Sequence, residues 1–293
     1  MKIKKRYLIP GLVCIGLFAT CKMEFLKFRQ SENKQRTTLL EKGQPDVKFF
    51  TYRWNGREIH YTQTGADTLP LVVMVHGSPG SSSACLGFLS DQALTAAAQV
   101  ISVDRPGFGY SGFGNTERSL KEQAAALKPI LEAHKAGKTI LAGHSFGGPV
   151  IVRMAMDFPE LVDGLVIVAG SIDPDLEPHY WWQKPLDWSV FRWMMPPAFR
   201  VSNQEILPLK EELKEMLPRW KKITCPVTII QGMKDNLVAP GNAGFAKKML
   251  VNSRRVEIDT LENDGHFIFW TKQERITQKI IDLLNFENHE FHR

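Results

Sequence analysis

Cysteine is scarce: the 293 residues hold four, and two of these, Cys14 and Cys21, fall at the extreme N-terminus. That is too few for a disulfide scaffold. The remaining two, Cys85 and Cys225, have neither metal-ligand nor redox-pair spacing and read as small buried residues. No cluster of His, Cys, Asp or Glu has ligand spacing, so neither a metal nor a cofactor is expected. Long apolar runs are also missing, which excludes a polytopic membrane protein. The body lacks a basic excess: residues 1–36 carry a net +7 and the rest of the chain −1. The pI near 9.1 therefore belongs to the N-terminus, and no nucleic-acid partner is expected. No internal repeat or low-complexity stretch is visible.

What the N-terminus does have is Lys2, Lys4, Lys5 and Arg6, followed by the uncharged run Tyr7–Thr20 and then Lys22. As a helix the run would span about 21 Å, short of a hydrocarbon core of roughly 30 Å. A basic start before an apolar stretch of this length is the pattern of an export signal. Residues 1–21 thus read as a signal peptide or membrane anchor. Cys21, after Leu17-Phe18-Ala19-Thr20, resembles a bacterial lipobox cysteine that would be lipidated, although Phe18 and Thr20 depart from the usual pattern. Either version places the body outside the cytoplasm, membrane-anchored at the cell envelope. Residues 22–44 read as a basic, polar tether.

From residue 47 onward, apolar runs alternate with helical patterns. Phe49–Trp54 and Ile59–Thr64 flank Asn55-Gly56, a hairpin turn signal. Leu71–Val75, Val100–Asp104, Thr139–Ala142, Val162–Ala169 and Val227–Gln231 read as strands buried on both faces, with a short last strand at Arg255–Asp259. Helices are expected from Ser119, with Glu122 completing a capping box, to about His134, then over Phe146–Phe158, near Gly244–Leu250 and over Glu274–Leu284. A hairpin followed by repeated βα units predicts an α/β fold: a mostly parallel, eight-stranded sheet with helices on both faces. Residues 171–222 break the rhythm. They hold no strand pattern, seven of the 17 prolines and five of the seven tryptophans. So long a segment between two core strands predicts a small helical cap, inserted between core segments 45–170 and 223–293.

The chemistry-bearing residues fall at strand ends. Gly143-His144-Ser145-Phe146-Gly147 follows one strand and opens a helix. A serine on so tight a turn needs small neighbours and stands exposed above the sheet as a nucleophile. Serine needs a base, and His266, after the last strand, is the best placed; His60, His134, His179, His289 and His292 lie elsewhere, and His144 should point away. A base of this kind needs a carboxylate to hold its tautomer. Asp235 follows the strand before; Asp173 is the alternative, and a helix cap is the plainer role for Asp235. In His76-Gly77-Ser78-Pro79-Gly80, proline has no N–H to give. The backbone N–H of Ser78, with that of Phe146, forms the expected oxyanion hole. A plain β-turn is the alternative reading of this loop.

With these motifs the chain resembles the α/β-hydrolase family over about residues 47–285. The segment from His76 to Gly80 looks like the family's HGxPG oxyanion loop, and Asp104-Arg105-Pro106-Gly107-Phe108-Gly109-Tyr110-Ser111 like its structural DxPGxGxS loop. The segments Gly232–Asp235 and Gly265-His266 resemble its acid and base loops. A serine at 145 sets aside epoxide and halide chemistry, which use an aspartate nucleophile. The resemblance implies a serine hydrolase that cleaves an ester or related acyl bond through an acyl-enzyme, carboxylesterase-like. Its alternatives are a proline-type aminopeptidase, a carbon–carbon bond hydrolase, an acyltransferase, and a ligand-binding hydrolase fold without catalysis. The expected partners are a small acyl substrate and, through the N-terminus, a membrane surface.

Substrate clues are confined to the cap. Tyr180, Trp181, Trp182, Trp188 and Trp193 are the candidate pocket residues, implying an apolar substrate; packing against the core and contact with a membrane are the alternatives. For an aminopeptidase, Glu177, Asp175 or Glu205 would receive the substrate's amine.

Overall fold

The computed structural model describes residues 24–134, 136–178 and 181–287. Cys21, Tyr180 and the leader lie outside them. Eight strands form one sheet: β1 (Lys48–Trp54), β2 (Arg57–Thr64), β3 (Leu71–Val75), β4 (Gln99–Val103), β5 (Thr139–His144), β6 (Gly164–Val168), β7 (Val227–Gly232) and β8 (Val256–Leu261). Their order is β1-β2-β4-β3-β5-β6-β7-β8. β1 and β2 pair antiparallel, as do β2 and β4; every other neighbour is parallel. The hairpin turns at Asn55 and Gly56, both at positive φ (46° and 76°), as a tight two-residue turn requires.

The described helices are α1 (Glu32–Glu41), α2 (Leu86–Leu89), α3 (Gln92–Ala97), α4 (Leu120–Ala133), α5 (Gly147–Asp157), α6 (Gln183–Leu186), α7 (Ser189–Arg192), α8 (Pro197–Ile206), α9 (Leu209–Met216), α10 (Gly241–Met249), α11 (Ile268–Thr271) and α12 (Gln273–Leu284). Two apolar clusters sandwich the sheet. One packs Leu127, Ile151 and Met154 of α4 and α5 on one face; the other packs Leu89, Ile276 and Ile280 on the opposite face. β3, β4, β5, β6 and β7 are buried along their whole length, which is why they read as unbroken apolar runs. Cys85 and Cys225 are buried free thiols. No described helix is long and apolar enough to cross a membrane.

Two expectations need correcting. Residues 24–44 are not a tether in the part described. They form a 3-10 turn (Glu24–Lys27) and α1, which buries Leu39 and Gln35 against the body. Gln35 accepts from the Thr62 hydroxyl at 3.3 Å, and the Ser81 hydroxyl donates to the Phe28 carbonyl at 2.7 Å. α1 has almost no apolar stripe, and polar contacts fasten it, so no periodicity marked it. The second concerns Ser119, which stands at the N-cap of α4 but makes no capping bond with its side chain. Glu212 of α9 takes that role from the cap, accepting from the Leu120 N–H at 2.8 Å and the Ser119 hydroxyl at 3.2 Å. A local capping box has been replaced by a tertiary one. The segment 171–222 is helical throughout its described elements, from α6 to a 3-10 turn ending at Lys222.

Candidate active site

Ser145 directly follows β5, a central strand of the sheet, and precedes α5. Its φ is +54°, a conformation that costs an L-residue roughly 1–2 kcal/mol. The turn is too tight for side chains on its flanks. A Cβ on Gly143 would run into the Gly147 carbonyl, and one on Gly147 into the Val75 carbonyl. The strain is held by bonds on both sides: the Ser145 N–H donates to Val168 O at 3.0 Å, and the Gly148 N–H to Ser145 O at 2.9 Å. Phe146 sits at the N-cap of α5.

The acid and base loops meet beside this turn. His266 Nδ1 lies 2.8 Å from Asp235 Oδ2, both residues buried. Burial alone would raise the Asp235 pKa. Bonds from His266 and from the Val238 and Leu237 N–H groups outweigh it and hold the carboxyl below the usual range. The group is therefore a carboxylate, and Nδ1–H is the donor to it. The two carboxylate oxygens divide the work. Oδ2 meets the imidazole, while Oδ1 takes the N–H groups of Leu237 and Val238, each at 2.8 Å. Asp235 is therefore not the cap of the next helix, whose N-cap is Pro240 with no side-chain bond; it ties down its own loop while facing His266. Asp173 instead accepts the Asp175 N–H at 2.9 Å. The loops are tied together by the Lys234 N–H donating to the Asp264 carbonyl at 2.9 Å.

His144 does turn away from Ser145. Its Nε2 lies 3.2 Å from the His266 carbonyl, and its ring stacks on Phe269 at 5.0 Å. Burial, aided by the neighbouring His266, lowers its pKa to about 3. It is neutral, so Nε2–H donates and props the base loop from below.

The loop after β3 lies against the serine. A Cβ on Gly77 would stand 3.0 Å from Ser145 Cβ, and the Ser78 hydroxyl donates to that of Ser202 on α8 at 2.8 Å. Arg105, fully buried, fixes this loop. Its Nε donates to the His76 carbonyl and one Nη to the Gly77 carbonyl, both at 2.9 Å. The Arg105 N–H donates to His76 Nε2 at 3.1 Å, so His76 Nδ1 carries the proton it gives to Gly77 O at 2.7 Å. In a trans peptide the C=O and the next N–H point opposite ways. Two donors holding the Gly77 carbonyl therefore turn the Ser78 N–H away from Arg105.

Arg105 in turn is held by Glu205 of the cap, with Gln123 of α4 bonded to both. This corrects Glu205 as a receptor for a substrate amine, because its carboxylate is consumed by the arginine. Glu177 accepts from the Ser171 hydroxyl, and burial raises its pKa, while Asp175 is exposed. Sequence reasoning did not find the Arg105–Glu205–Gln123 group. The available signal was a charged residue following a strand buried on both faces, which must find a partner.

Trp181, Trp182, Trp188 and Trp193 are all exposed. They neither sink into the core nor close a buried pocket around Ser145. Among the described residues no group of His, Cys, Asp and Glu is arranged to hold a metal ion.

Residues 70–200 match the family model of the α/β-hydrolase fold. A 2-hydroxy-6-oxononadienedioate/2-hydroxy-6-oxononatrienedioate hydrolase of a Pseudomonas species is 33% identical over 253 residues, covering 73% of this chain and 87% of its own length. The protein of the same name from Paraburkholderia phymatum is 26% identical and is covered over 90% of its length, against 77% here. Among solved structures, a bacterial membrane phospholipase A superposes with a TM-score of 0.64 at 21% identity, covering 96% of this chain and 98% of the other. With its sheet order, its strand–turn–helix serine and these relatives, the chain belongs to the α/β-hydrolase family.

Proposed function

We propose that the protein is a serine hydrolase that cleaves an ester or related acyl bond of a small apolar substrate. The carrying observation is the 2.8 Å contact between His266 Nδ1 and Asp235 Oδ2, on loops beside the positive-φ turn of Ser145. In this reading His266 Nε2 takes the Ser145 proton as Oγ attacks the carbonyl carbon. The N–H groups of Ser78 and Phe146 receive the oxyanion. The imidazolium returns its proton to the leaving alcohol, and a water, deprotonated by the same histidine, releases the acid. Asp235 stays ionised throughout and stabilises the imidazolium. The test is a panel of p-nitrophenyl esters from acetyl to dodecanoyl, comparing the full chain with Ser145→Ala. Turnover that disappears in the variant supports acyl chemistry at Ser145. Turnover that survives sinks the proposal.

A second reading, hydrolysis of a carbon–carbon bond, draws support from the names of the Pseudomonas and Paraburkholderia relatives, which share this length of chain. It uses the same serine, base and acid. Consumption of 2-hydroxy-6-oxononadienedioate by a protein inert to every ester would select it.

A further inference from the structure

We infer that the cap is a membrane-docking surface, held face-on to the lipid bilayer by the N-terminal segment. Three observations converge on it. The first is the docked N-terminus. A free tether over residues 22–44 would reach roughly 80 Å, and the body would tumble beneath its anchor. Instead the 3-10 turn Glu24–Lys27 packs on α8 of the cap. The Phe28 ring meets Phe199 of α8 edge-on at 5.2 Å. The Arg29 guanidinium lies over the rings of Tyr110 and Phe113. From the apolar run ending at Thr20 to Glu24 the chain can span only about 14 Å. A lipid on Cys21 would lie closer still. Either kind of anchor therefore brings α8 and the cap to the membrane.

The second observation is what the cap presents. Trp181, Trp188 and Trp193 are 81%, 63% and 61% exposed, with Phe191 exposed between them. Indole is the side chain that favours the boundary of water and hydrocarbon. Residues 181–200 also hold Lys184, Arg192 and Arg200 against the single carboxylate of Asp187, which Arg118 neutralises at 2.9 Å. An aromatic surface with cations complements an anionic lipid surface.

The third is that apolar exposure continues at the candidate site. Leu237 and Phe267, on the loops that carry Asp235 and His266, are exposed. The site then opens toward the bilayer, and the substrate it meets first is one dissolved in lipid. None of this depends on the role of Ser145, and Ser145→Ala should dock unchanged.

The test uses the full chain reconstituted in vesicles of phosphatidylcholine and phosphatidylglycerol whose phosphatidylcholine carries brominated acyl chains. Bromine quenches tryptophan only in contact with lipid. Wild type should lose up to the share of emission carried by these three of the seven tryptophans. A variant with Trp181→Ser, Trp188→Ser and Trp193→Ser should float with the vesicles equally but lose that quenching. Because the replaced side chains are exposed, far-ultraviolet dichroism and the urea midpoint should be those of wild type. Replacing phosphatidylglycerol by unbrominated phosphatidylcholine, with the bromine content held constant, should weaken quenching. Flotation with cap tryptophans still open to aqueous acrylamide would overturn the inference, as would failure to float. So would protection that appears only at high protein density, which would mean a second copy covers the cap.

Discussion

Arg105 and Glu205 lie a hundred residues apart and meet as a two-point ion pair, at 2.7 and 2.9 Å, with neither side chain exposed. One belongs to the loop after β4 and the other to the cap. The same guanidinium holds the carbonyls of His76 and Gly77. The cap thereby sets the orientation of the Ser78 peptide, through a residue that itself lies outside the reaction. Glu205→Gln keeps the shape and leaves the arginine charge unpaired. Removing one partner of a buried pair costs about 3–5 kcal/mol, so urea unfolding should show a loss of that order. If the Ser78 N–H receives the oxyanion as proposed, turnover should fall with KM nearly unchanged, because a misdirected donor weakens transition-state binding alone. Lower stability with intact kcat would reduce the pair to a structural clamp.

The strain at Ser145 gives a stability readout independent of any substrate. Ala keeps the Cβ that makes φ = +54° costly, whereas Gly removes it. Ser145→Gly should therefore be more stable than Ser145→Ala by about 1 kcal/mol, although both lose turnover. Equal midpoints in urea would mean that the turn is relaxed in solution.

Asp235 serves two tasks with two oxygens, and a pair of variants separates them. Asn can keep an oxygen on the Leu237 and Val238 N–H groups but removes the charge facing His266. Ala loses both. Asp235→Asn should keep most of the stability while kcat falls by roughly 10⁴, the scale seen when an orienting carboxylate of this kind becomes an amide. Asp235→Ala should lose stability as well, by about 1–2 kcal/mol, because the Leu237 and Val238 N–H groups lose their acceptor. Thermal unfolding beside ester turnover checks both halves.

The sheet and the candidate site were legible because their signals are local. Strands buried on both faces read as apolar runs, and Gly143 and Gly147 announce a turn with no room for side chains. Asp235 and His266 each lie just past a strand. What was not legible is held together at long range. α1 is polar and is fixed by partners such as Thr62 and Val47, so residues 24–44 looked like a tether. Glu212 caps a helix that begins 92 residues earlier, and nothing near Ser119 signals it. Of the five cap tryptophans, Trp220 does join the core, whereas Trp181, Trp182, Trp188 and Trp193 stay out, because apolar residues are a one-way rule: few polar groups go inside, but many apolar ones stay out.

Two neutral histidines beneath the site predict how the fold responds to acid. Burial, with Arg105 beside His76 and His266 beside His144, lowers each from the ordinary 6.5 to about 3. An unfolded chain takes up both protons near pH 6.5, and the native chain refuses them until about pH 3. The unfolded state thus binds more protons throughout that window, and stability must fall as pH falls through it. The slope is about 1.4 kcal/mol per pH unit for each histidine. Asp104 and Asp235 also have lowered pKa values, Asp104 because bonds from His60, Ser82 and Tyr110 overcome its burial. Their contribution is present above the unfolded carboxylate value of about 4 and is lost only below it, so it adds to the histidine slope at the acid end. Urea midpoints measured from pH 7.5 downward should be level at first and then decline steeply below about 6.5. In His144→Asn the amide can still donate to the His266 carbonyl but has no proton to gain, so the slope between pH 6 and 4.5 should fall by about 1.4 kcal/mol per pH unit, the remainder belonging to His76 and to His134, whose pKa burial also lowers. A level profile across that range would mean that His76 and His144 are open to protons in the native protein, contrary to the burial that keeps them neutral.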